Sequence, residues 1–131
     1  MQPKWNDSQP IYVQLRDHAV AMILDGVLDD GDPLPSVRKV AADFRLNPIT
    51  VSKAYQTLVD DELVERRRGL GMFVRTGAKK ALLEAERKKF LNREWPLLLK
   101  KIERLGLHPE DLVAKLGTGP KNGQEQGEPD V

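Results

Sequence analysis

The sequence predicts a mostly α-helical chain carrying a small antiparallel sheet, an α+β fold. Apolar residues recur at helical spacing along residues 11 to 28, and again in two short runs between residues 36 and 59. Asn47-Pro48 separates those two runs, an N-cap residue followed by a proline where its missing N–H costs nothing. Two short apolar runs then flank a basic, glycine-bearing turn between Arg66 and Gly71, the pattern of a hairpin.

The elements follow in chain order. Ile11, Leu15, Ala19, Met22 and Ile23 share one face of a first helix, placed at residues 11 to 28, with Pro10 at its start. Gly26 and the run Asp29-Asp30-Gly31-Asp32-Pro33 end it. Leu34 is expected as a minimal strand pairing with the later hairpin, giving a three-stranded sheet. Ser36 caps a second helix whose stripe is Val37, Val40, Ala41 and Phe44. The third helix starts at Pro48 and buries Val51, Ala54, Tyr55, Leu58 and Val59. Ile49, Thr50, Ser52, Lys53, Gln56 and Thr57 are left facing outward, a small and lightly basic surface that suits a major groove. Leu63 to Arg66 and Met72 to Arg75 read as strands around a turn from Arg67 to Gly71. The resulting order of helix, strand, helix, helix, strand, strand is that of a winged helix-turn-helix.

Beyond Arg75 the pattern is helical. Ala78 to Asn92 is rich in strong helix formers, and Leu91, Trp95, Leu98, Ile102 and Leu105 repeat at heptad-like spacing. Pro96 interrupts that seam, which implies a kink near Asn92 or two helices meeting around Glu94. The seam is too short for an autonomous coiled coil and is expected to pair two copies of the chain. Gly106 stops the run, and Pro109 opens a last short helix that His108, Glu110 and Asp111 are expected to cap. Domain boundaries follow: residues 1–76 a winged helix-turn-helix domain, 77–116 a helical dimerisation region, and 117–131, rich in Gly and Pro, a disordered tail.

Charge adds a second line of argument. The net charge of +1 is the sum of −4 over residues 1–35, +5 over 36–80, +2 over 81–116 and −2 over the tail. Positive charge is thus concentrated on the helix-turn-helix and hairpin, where a polyanion is the expected partner. Arg66, Arg67 and Arg68 beside Gly69 and Gly71 form a tip able to follow a phosphate backbone or reach a minor groove. Absence of cysteine excludes disulfides, thiolate catalysis and Cys-based zinc sites. No run approaches eighteen apolar residues, so a soluble, cytoplasmic protein without membrane partners is expected. No catalytic constellation, cofactor motif or metal site is read, and an enzyme is not expected.

Particular stretches carry a family resemblance. Pro10-Ile11-Tyr12, the block from Gly31 to Arg38 (GDPLPSVR) and the hairpin from Leu63 to Val74 (LVERRRGLGMFV) resemble the DNA-binding domain of the GntR family of bacterial transcription regulators, over roughly residues 9 to 76. The short helical tail and the Asn-Pro-x-Thr-Val start of the third helix are similar to the small YtrA-like subfamily. This resemblance implies that Arg38 grips the DNA backbone, that Thr50 contacts phosphate, and that Gly69 and Gly71 approach the minor groove. Pro48 and Ser52 stand where members with large effector domains often carry arginines, and Ile49 replaces a residue usually polar in the subfamily, so much of the affinity is expected from Arg38 and the wing. Ile49 offers an apolar contact for a thymine methyl, and Lys53 or Gln56 polar groups for base edges. With Asn47, Ser52 and the wing arginines these complete the candidate DNA-binding set. The expected protein is a homodimeric regulator, a repressor by preference, on a double-stranded inverted-repeat operator. An unidentified small-molecule effector is left open, placed if present between the C-terminal helices and the reading head. The alternative is a winged-helix module that binds protein and no longer reads DNA.

Overall fold

In a computed structural model, which describes residues 4–117, the first helix α1 runs Ile11–Leu24. It ends before the expected residue 28 because Gly26 takes a left-handed φ of 79°. The Gly26 and Val27 amides then bond back to the Ile23 and Met22 carbonyls, closing the last turn. Leu15, Ala19, Val20 and Ile23 are buried, while Ile11 and Met22 are only half-buried. Trp5 meets the ring of Phe44 edge-on at 6.1 Å, packing the N-terminal segment on the same core.

Two helices capped as expected follow. The Ser36 side chain accepts from the Lys39 amide at 3.1 Å at the start of α2, Val37–Phe44. Asn47 accepts from the Ile49 amide at 2.9 Å at the start of α3, Pro48–Asp60. Between them Arg45 adopts a left-handed φ of 56°, which lets the chain reverse within a few residues. Val51, Ala54, Tyr55 and Leu58 form the buried stripe of α3, and Val59 is half-buried at its edge.

The hairpin strands are β1, Val64–Arg67, and β2, Gly71–Val74, antiparallel with Val64 opposite Val74 and Arg67 opposite Gly71. Both lie one residue from the expected bounds. The sheet has two strands rather than three. Leu34 donates to the Met72 carbonyl at 2.8 Å, yet only an isolated bridge between Pro33 and Phe73 forms. The groups that face β2 here are those of Asp32 and Leu34; the Asp32 amide turns instead to the Asp29 carbonyl at 3.0 Å, and Ser36 already caps α2, so the pairing stops at a bridge.

A long helical stretch begins with α4, Ala78–Lys89, whose Ala78 and Leu82 join the core made by α1, α2, α3 and the hairpin. The first compact unit therefore reaches Arg87, past the boundary expected at residue 76, and a second unit starts at Lys88. In that second unit Phe90–Glu94 form one wide π turn, leading into α5, Trp95–Arg104. The Trp95 amide reaches back five residues to the Phe90 carbonyl. This wide turn accommodates Pro96 at the start of α5 without breaking the helical path, a third outcome beside the expected kink or helix junction. A short α6, Pro109–Lys115, closes the described part of the chain. Glu110 and Asp111 occupy its first turn as expected, but the His108 side chain makes no capping bond. The tail expected to be disordered lies, apart from Gly117, outside the described residues.

Candidate nucleic-acid interface

The outward face of α3 is built by subtraction: its buried stripe leaves Ile49, Ser52, Lys53 and Gln56 exposed, with Thr50 half-buried. Ile49 is 75% exposed, so its apolar side chain is open to a partner. Asn47 serves as the cap, so its side-chain oxygen is already engaged by a backbone amide. Arg38 stands exposed near the start of α2. Thr57, read as outward, is half-buried and donates to the Ala54 carbonyl.

Each wing arginine has a different setting. Arg66 donates through Nη2 to Gln56 Oε1 at 2.9 Å. Arg67 donates through Nε to Glu65 Oε2 at 2.9 Å and lies 4.3 Å above the Phe73 ring. Among the described residues Arg68 and Arg38 have no intramolecular polar partner, which leaves both guanidinium groups available to an anion. Gly69 and Gly71, at φ 76° and 109°, carry the turn, and the Leu70 amide closes it on the Arg67 carbonyl at 2.9 Å. A cleft of about 530 Å³ lies between this hairpin and the start of α2, with Ser36, Val37 and all three wing arginines on its walls. Lys53 sits 4.2 Å from the Tyr12 ring centroid, which holds its ammonium at the junction of α1 and α3.

Tyr12, Glu65 and Asp60 orient candidate cations or Gln56, and sequence reasoning missed all three. Glu65 and Arg67 stand two apart on β1 and so share a face, a relation hidden when Arg67 is read as the first residue of the turn. No local pattern links Tyr12 to Lys53, because α1 and α3 meet only through the tertiary fold.

In the second unit Leu91, Trp95, Leu98 and Leu105 are exposed, whereas Ile102 is 8% exposed. The wide π turn shifts the helical phase between Leu91 and Trp95, so the sequence repeat does not continue as one unbroken stripe. Among the described residues no cluster of metal-ligating side chains occurs, and no helix is long and apolar enough to cross a membrane.

A capped helix-turn-helix followed by a basic hairpin defines a winged-helix DNA-binding protein. Residues 11–74 match the family described as "Bacterial regulatory proteins, gntR family". The chain is 34% identical to the uncharacterized HTH-type transcriptional regulator YhcF of Bacillus subtilis, over 94% of this chain and 100% of that one. It is 40% identical to the HTH-type transcriptional repressor YtrA of the same organism, over 60% of this chain and 61% of that one. A GntR family transcriptional regulator from Listeria monocytogenes superimposes with a TM-score of 0.72 at 26% identity, covering 88% of this chain and all of that one. The chain belongs to the GntR family, in its small YtrA-like group, and is a non-enzymatic DNA-binding transcription regulator.

Proposed function

We propose that the chain acts in the cytoplasm as a homodimeric repressor on an inverted-repeat operator, with residues 1–76 and their extension into α4 as the reading head and the remaining helices to residue 116 as the dimerisation region. The observation that carries this reading is the placement of the α3 outer face and the wing: Gln56 of the one is hydrogen-bonded to Arg66 of the other. Ile49, Ser52 and Lys53 meet the major groove, while Arg38 and the wing arginines hold phosphates beside it. Gly69 and Gly71 let the hairpin backbone come close to the minor groove. The relative YtrA carries the name of a repressor, which favours repression over activation.

Dimerisation is supported by the exposed apolar side chains of the second unit. Phe90, Leu91, Leu97, Leu98 and Leu105 stand in water in a single chain, more apolar surface than a short helical appendage leaves uncovered without purpose. A two-fold dimer would place two α3 helices on half-sites roughly one helical turn, or a multiple of it, apart. Selection of duplexes from a random pool by the full chain, with the mass of the free protein measured by sedimentation, tests the reading. The expected result is an inverted repeat bound by a species of twice the chain mass; recovery of no recurrent sequence overturns it.

A further inference from the structure

The sequence offers Gln56 as a reader of base edges, but in the fold its amide is engaged at both ends. Oε1 accepts from Arg66 Nη2 at 2.9 Å, and Nε2 donates to Asp60 Oδ1 at 2.8 Å. Asp60 lies one turn further along α3 and sets the orientation of the amide: a carboxylate accepts only, so it draws the NH₂ group and turns the oxygen toward the wing. The reverse orientation would set donor against donor at the guanidinium. Arg66 itself sits in β1 opposite Met72, at the base of the basic tip.

We infer that Gln56 is a positioning residue: oriented by Asp60, it holds the Arg66 guanidinium against the recognition helix, so that helix and wing meet DNA as one unit. Bidentate recognition of adenine needs the amide oxygen and nitrogen together, and here the oxygen is committed to the wing. Arg66 therefore contributes a cation at a fixed offset from α3, and Gln56 contributes through it. This inference rests on the DNA-reading role proposed above.

The full chain supplies the test, with the duplex that the unaltered chain selects as probe. Gln56→Ala and the near-isosteric Gln56→Met are expected to weaken binding roughly three- to tenfold. Both are expected to flatten the slope of log affinity against log salt by about one, with little change in melting temperature. In an Arg66→Met background the added Gln56→Ala change should alter affinity by less than about twofold, since the amide acts through Arg66. Repeating the selection with Gln56→Ala should return the same base preferences. Without DNA, the guanidinium nitrogen signals of Arg66 should be resolved in the unaltered chain and averaged in both variants. Independent losses in the double variant, an unchanged salt slope, unchanged Arg66 signals, or relaxed preference at a single base pair would each overturn the inference, the last by marking Gln56 as a base reader. Failure of the unaltered chain to select any sequence is a different result and overturns the operator reading instead.

Discussion

Tyr55 shows how one residue ties the reading head together. Its ring is buried in the core, and its hydroxyl donates to the Pro35 carbonyl at 2.7 Å, which joins α3 to the segment that enters α2. Burial pushes the phenol up from 10.0 to about 12, because the charged phenolate is poorly solvated there. The folded chain thus keeps this proton where the unfolded chain releases it. Above pH 10 the unfolded state binds fewer protons, so stability falls as pH rises from 10 toward 12. Chemical unfolding at pH 9.5 and 11.5 should show a loss of about 2 kcal/mol from this group. Tyr55→Phe should lose about 1 kcal/mol at neutral pH with its hydrogen bond, and should lack that part of the alkaline decline. An alkaline decline of equal size in the phenylalanine variant would remove Tyr55 as its source. The place of Tyr55 on a buried helical stripe is legible from its spacing with Val51 and Leu58. Its partner is not, since twenty residues of chain separate the two groups.

At the scale of elements, the hairpin depends on backbone conformations that only glycine adopts without strain. Gly71 has a φ of 109°, and a Cβ placed there would meet no atom within 4 Å. The cost of Gly71→Ala is therefore conformational and not steric, about 1–2 kcal/mol of stability. Equilibrium unfolding in urea should show that loss, and DNA affinity should fall with it because the tip is displaced. Undiminished stability would mean that the turn tolerates a side chain and that this backbone is not required. The hairpin was legible from Gly69, Gly71 and the flanking apolar residues, and the helix starts from Ser36, Asn47 and Pro48, because caps and turns are local chemistry. The third strand expected at Leu34 does not form. The pairing of Leu34 with Met72 forms, but the Asp29–Asp32 turn on one side and the Ser36 cap on the other limit it to a bridge. Pro96 marked a perturbation correctly, yet a proline alone does not distinguish a kink from a wide turn; the path of the flanking helix selects between them.

For the whole molecule, the exposed apolar side chains of α5 and of Leu105 at its C-cap are where self-association is expected to act. Leu98 and Leu105 are 42% and 61% exposed in the single chain, so charging them should leave the reading head folded. The double change Leu98→Asp, Leu105→Asp is expected to halve the mass seen in sedimentation. It should also weaken binding to an inverted-repeat duplex by about a hundredfold or more, since two linked half-sites become independent. An unchanged mass would place the dimer contact elsewhere. Local features of this protein are written in its residues alone: which helix faces are apolar, where helices start, where the hairpin turns, and that positive charge collects between residues 36 and 80. Each follows from spacing or from a side chain acting on its own neighbourhood. Folding in three dimensions sets how far the first compact unit extends along α4, brings Lys53 onto Tyr12, and joins Gln56 to Arg66. Those contacts join residues distant in sequence, and no periodicity or local motif records which distant side chains a folded chain brings together.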